Sequence, residues 1–150
     1  REAAERKYPM KHECKVTVLE TKVFPDLQRE YLADPESGPC PCFAAGQEFL
    51  FRREAGADDL AFGRDLAPAF PCAEAWDCIS RYIYTALQGG SIMHGWTRHD
   101  RLMVACCNDG TRPVVFKLER IDIPETLEEE AWLASQDFAN TPEDAYTGEE

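Results

Sequence analysis

The chain contains no apolar run approaching 18 residues, so no segment of it reads as a membrane-spanning helix. It also lacks a C-x-x-C pair, a phosphate-cradling glycine loop, a nucleophile elbow and a paired-histidine zinc helix. The missing C-x-x-C matters most, because zinc ribbons and ferredoxin-type clusters usually carry one. Basic residues are scarce: 16 Lys and Arg stand against 28 Asp and Glu, for a net charge of −12. Without a basic stripe, binding to nucleic acid through phosphate neutralisation is not expected. Residues 1–10 have no apolar stretch of the kind a signal peptide needs. No internal repeat or low-complexity tract occurs.

The acidity is concentrated. Residues 125–150 hold nine acidic side chains and no Lys or Arg, which leaves residues 1–124 with 19 acidic against 16 basic side chains, or −3. An acidic tail of this kind is either solvated chain or a segment that docks a basic protein partner. At 150 residues with 44% apolar content, one domain with a real core is expected. Its limits read as 12–123, after an N-terminal extension over 1–11 and before an acidic tail over 124–150.

Periodicity supplies the elements. Residues 14–20 alternate, with Cys14, Val16 and Val18 on one face of a half-buried strand. Pro25 opens a short helix reaching about Leu32. Dense turn chemistry over residues 34–39 then delivers the chain to Cys40-Pro41-Cys42, and a strand is expected over 47–51. Residues 52–71 read as a long ordered loop. The clearest helix runs from about Ala73 to Gln88, with Pro71 at its entrance and Gly89-Gly90 as its stop. Trp76, Ile79, Ile83 and Leu87 form its apolar stripe. Two strands, 102–107 and 112–121, flank an Asn108-Asp109-Gly110 hairpin signal. In the second, Val114, Phe116 and Leu118 share one face. A short amphipathic helix is expected from Leu127 to Phe138. The sum is α+β: an antiparallel or mixed sheet with one main helix across it.

What the chain has in quantity is cysteine. There are seven: Cys14, Cys40, Cys42, Cys72, Cys78, Cys106 and Cys107. The count is odd and one pair is adjacent, which fits reduced thiols in a cytoplasmic protein better than a disulfide scaffold. Cys14 and Cys78 read as small buried apolar residues. The others occupy a tight loop (Cys40, Cys42), a helix mouth (Cys72) and a strand end (Cys106, Cys107), places where folds gather functional groups. The positive end of a helix favours the thiolate, which is the form that binds metal or attacks an electrophile. Adjacent strand residues face opposite sides, so only one of Cys106 and Cys107 can join a site without a bulge. Three or four sulfurs suit zinc or an iron–sulfur cluster, with His94 or His99 available to complete a three-sulfur set. Arg112, beside the Asp109-Gly110 turn, either braces that turn or clamps an anionic ligand.

Three motifs resemble a small family of uncharacterised prokaryotic proteins. They are Cys40-Pro41-Cys42-Phe43 through Gly46-Gln47-Glu48-Phe49, then Cys72 leading the Ala75-Trp76 helix, then Cys106 through Lys117. The resemblance spans about residues 12–122 and implies no known activity. It places Cys40, Cys72, Cys106 and Cys107 on motif positions, with Cys42 as this chain's own addition. Three functions are therefore expected to compete. The first is a cytosolic metal-binding protein using Cys40, Cys72 and Cys107, with Cys106 as alternate. The second is a thiol-dependent enzyme or redox partner with Cys72 as nucleophile and Cys40 or Cys107 resolving. The third is an interaction module docking through its tail.

Overall fold

A computed structural model describes residues 11–52 and 70–135. The expected loop over 52–71 and the end of the tail helix past residue 135 lie mostly or wholly outside them. The architecture is α+β, with a four-stranded sheet that is antiparallel throughout. Its strands are β1 (Lys11–Thr21), β2 (Glu48–Arg52), β3 (Leu102–Cys106) and β4 (Val114–Ile123), in the order β2-β1-β4-β3. The described residues also form three helices: α1 (Pro25–Tyr31), α2 (Ala73–Leu87) and, after the last strand, α3 (Leu127–Ser135).

Alternation puts Cys14, Val16 and Val18 of β1 and Val114, Phe116 and Leu118 of β4 on one face, all essentially fully buried. α2 lies across that face with Ala75, Ile79, Ile83, Ala86 and Leu87 inward. Each fully buried Ile or Leu of this kind contributes on the order of 2 kcal/mol. An aromatic cluster fills the end of the core nearest the start of α2. There Phe43 packs edge-on against Phe116 at 5.1 Å between centroids, and Phe51 lies 5.7 Å from Trp76. Cys14 belongs to this interior, and burial pushes its thiol pKa up to about 12. It is inert packing, as its place on the strand implied.

The opposite end of α2 is closed by charge. Arg120 of β4 donates from its Nη1 to the carbonyls of Gly89 (3.2 Å) and Gly90 (2.5 Å), just past the end of the helix. Asp122 orients that guanidinium through two bonds and takes a third, of 2.7 Å, from the ring of His12. Gly89 sits at φ +74°, and a Cβ there would lie 2.3 Å from His12 Nε2. Gly89→Ala should therefore cost about 2–4 kcal/mol, the left-handed penalty plus overlap with the ring. Gly38→Ala, at the same φ but with nothing within 4 Å, should cost only about 1–2 kcal/mol. Equal losses in urea denaturation of the two variants would show that the ring contact is immaterial.

α3 begins with a capping box. The Thr126 hydroxyl accepts from Glu129 N–H at 3.2 Å, while the buried Glu129 carboxylate accepts from the Glu125 and Thr126 N–H groups. This arrangement starts the helix where the tail pattern placed it.

Candidate functional site

Two local devices hold the Cys40 loop in place. Gln28, on α1, is 2% exposed and spends both ends of its amide on one residue. Its Nε2 donates to Gly38 O and its Oε1 accepts from Gly38 N–H, each at 2.9 Å. Downstream, Gly46 N–H donates to Val18 O at 2.7 Å and Val18 N–H to Gln47 O at 2.8 Å. The loop is thus tied to α1 at one end and to β1 at the other. β1 carries an irregularity in its pairing with β4 between Val18 and Glu20, right where that anchor attaches.

The second wall is the mouth of α2. Cys72 is its N-cap residue, and its Sγ accepts the Ala75 N–H at 3.5 Å. The third wall is the β3–β4 connection. Cys107 N–H donates to Val114 O at 3.1 Å, and Cys107 Sγ accepts from Val114 N–H at 3.3 Å. The hairpin forms as the Asn-Asp-Gly signal implied, although Gly110 does not take the left-handed conformation such turns often use. Asp109 shapes the turn instead: its carboxylate accepts from the Thr111 N–H and hydroxyl and from the Arg112 N–H and Nε. Burial works against the charge on Asp109. The Thr111 and Arg112 donors outweigh it and hold the carboxyl below its ordinary pKa. Asn108 then ties the turn to α2 by donating to Glu74 at 2.5 Å.

These walls enclose a pocket of about 210 Å³ lined by Cys40, Cys42, Cys72 and Cys107. Four thiols from three separate chain segments face one space. Arg112 also lines it, and its Nη1 reaches Ser37 Oγ at 3.4 Å, so this residue both braces the turn and presents charge to the pocket. Cys42 is exposed at the mouth, while the other three are partly buried. Its thiol pKa is raised by burial, then by the nearby Cys40 and Cys72 sulfurs and a hydrogen bond with Cys40. As they stand, no three His, Cys, Asp or Glu side chains among the described residues are grouped closely enough to hold a metal ion.

The remaining candidates lie elsewhere. Cys106 pairs with Val115 on the sheet face away from α2 and is exposed. Strand alternation therefore chose Cys107, and the alternate does not line the pocket. His94 and His99 follow the far end of α2, a helix of 15 residues and so about 22 Å long. His94 is paired with Asp100 at 2.9 Å, and burial followed by the charge on Arg101 lowers the pKa of His99. Neither ring lines the thiol pocket, since the chain needs the whole helix to travel from one site to the other. Cys78 is half-buried on α2, packed against the core. Gln28 is a positioning residue that sequence reasoning missed, and Asn108, legible there only as part of the turn, also ties that turn to Glu74. The signal for Gln28 was a polar residue at the spacing where α1 should bury an apolar one.

Comparison with known families, curated proteins and solved structures finds no match. The chemistry of the pocket must therefore be read from its own residues. Among the described residues, no helix is long and apolar enough to cross a membrane.

Proposed function

We propose that the pocket is a thiolate site for a metal cofactor, held by Cys40, Cys72 and Cys107 with Cys42 as the fourth sulfur. The observation that carries this reading is the convergence of four cysteines from three segments on one pocket. Two features add support. Cys72 and Cys107 each accept a backbone N–H, the kind of donor that stabilises metal-bound thiolates and tunes their clusters. The upward shift of Cys42 reflects desolvation and crowded sulfurs resisting ionisation together, and a bound cation relieves both.

An iron–sulfur cluster is the first reading and zinc the second. A single zinc ion with bonds of about 2.3 Å draws four sulfurs to roughly 3.8 Å from one another. A cluster spreads its thiolates over several irons and holds them further apart than a single zinc does. All seven cysteines are free thiols, which supports function in a reducing compartment such as the cytoplasm.

The test is iron, sulfide and zinc analysis of protein purified without oxygen. Iron with matching sulfide supports the cluster. Zinc near one equivalent moves the reading to zinc. Neither metal removes it. Affinity should also rise with pH, because the Cys42 proton must leave before its sulfur can ligate and its raised pKa makes that competition stronger. Titrating metal-free protein with zinc at pH 6.5 and 8.5 should show tighter binding, per metal ion, at the higher pH.

A second reading, thiol chemistry at Cys72, is favoured by the Ala75 N–H that its sulfur accepts at the helix mouth. Alkylation of the metal-free protein should then label Cys72 well ahead of Cys107, which is also partly buried. Equal labelling would count against that reading.

A further inference from the structure

Cys40 and Cys42 differ from the other thiols of the pocket in being close along the chain and across a turn. Pro41 and Cys42 form the turn, and the intervening proline peptide is trans. Two Cα steps of 3.8 Å folded by a turn bring Cα atoms two apart to roughly 5.5 Å, inside the 4.4–6.8 Å span of disulfides. Both side chains line the same pocket. Cys42 is exposed, so an oxidant reaches the pair from solvent without opening the fold. Cys72 and Cys107 are held by backbone N–H donors on separate elements.

We propose that the Cys40-Pro41-Cys42 turn is a dithiol modification site, oxidised by hydroperoxides to a Cys40–Cys42 disulfide that withdraws two sulfurs from the pocket. The formation of the disulfide stands on the turn alone, whereas its consequence, release of the cofactor, rests on the metal-site reading above.

The chemistry balances. Cys40 gives its proton to solvent and its thiolate attacks the terminal peroxide oxygen. The O–O bond breaks, and the neighbouring Cys42 thiol gives its proton to the departing oxygen, which leaves as an alcohol, or as water when the oxidant is hydrogen peroxide. Cys40 is then a sulfenic acid. The Cys42 thiolate so formed attacks that sulfur, the S–O bond breaks, and the hydroxide takes from solvent the proton that Cys40 released and leaves as water. Two thiols and one hydroperoxide give one disulfide, one alcohol and one water; the sulfurs lose two electrons and the peroxide gains them. Cys42 is the resolving residue because it shares the turn with Cys40, whereas Cys72 and Cys107 lie on other segments.

Trypsin provides a clean readout, because the peptide from Glu30 to Arg52 contains Cys40 and Cys42 and no other cysteine. The full chain, metal-free in one arm and loaded with iron or zinc in the other, is titrated with hydrogen peroxide, alkylated and mapped by mass spectrometry. The expected result in the metal-free arm is that this peptide becomes two hydrogens lighter and resists alkylation at the lowest peroxide dose that modifies any cysteine. In the loaded arm, at least a tenfold loss of bound metal should follow the same peptide. Cys42→Ser, a change at an exposed position, should abolish the lighter peptide and leave Cys40 as a sulfenic acid trapped by dimedone. Oxidation first of a Cys40–Cys72 or Cys40–Cys107 pair overturns the proposal, as does an unchanged Glu30–Arg52 peptide. If no metal binds at all, the metal-free arm still decides the disulfide, so failure of the metal reading is seen separately. A disulfide that forms while the metal stays bound overturns the release step.

Discussion

Cys72→Ser should lose the cofactor while leaving the fold as stable as before. Cys72 has two jobs that the serine separates. Its sulfur faces the pocket, and as N-cap it accepts the Ala75 N–H. Serine is among the preferred N-caps, so its hydroxyl oxygen takes over the second job at no cost to α2. It cannot take over the first, since a neutral hydroxyl is a poor ligand for zinc or iron beside three thiolates. Bound metal should fall by a factor of at least about 100, as removal of one of four structural ligands implies. Cys72→Ala loses both jobs and should also destabilise the metal-free protein by about 1 kcal/mol. Comparing metal content with urea midpoints for the two variants separates ligation from capping. If Cys72→Ser kept its metal, Cys72 would be a cap alone and the proposed site would have to be redrawn.

A large stability effect is expected at the far end of α2. Asp122 has a side chain only 3% exposed and holds both Arg120 and His12. Asp122→Ala leaves the Arg120 guanidinium, whose side chain is 14% exposed, without its counter-charge, and the cost should be about 3 kcal/mol. Burial alone would raise the Asp122 carboxyl; the His12 and Arg120 donors reverse that and hold it below its ordinary value. A carboxyl depressed in the folded state contributes stability that is fully present above its unfolded pKa of about 3.9 and is lost as pH falls through the folded value. The difference between wild type and Asp122→Ala should therefore be present at about pH 5 and shrink below about pH 4. Chemical denaturation across that range measures it. A difference that stayed constant into acid would mean that the carboxylate charge is not what holds the clamp.

These two ends of α2 also mark what the sequence made legible and what it did not. The α2 stripe of Ile79, Ile83 and Leu87 and the alternation of Val114, Phe116 and Leu118 were readable because a helix and a strand impose fixed periods on burial. Alternation also showed that Cys106 and Cys107 cannot both join one site, since neighbours on a strand cannot share a face, but not which of the two does. The roles of His94 and His99 were not readable. Their residue types suit a metal, but only the length and direction of α2 put them a helix away from the sulfurs. The contact of His12 with Asp122, 110 positions apart, had no local signature either.

The sequence by itself determined the elements, the core faces, the acidic tail and the fact that cysteines cluster at loop, helix mouth and strand end. Those follow from spacing and composition, which act over a few residues. Only the tertiary structure decided that Cys40, Cys42, Cys72 and Cys107 share one pocket while Cys106 turns away. It also decided that Gln28 pins the Cys40 loop and that Arg120 closes the opposite end of α2. Such choices depend on strand order and on how α2 crosses the sheet, and long-range pairing of that kind leaves no period along the chain.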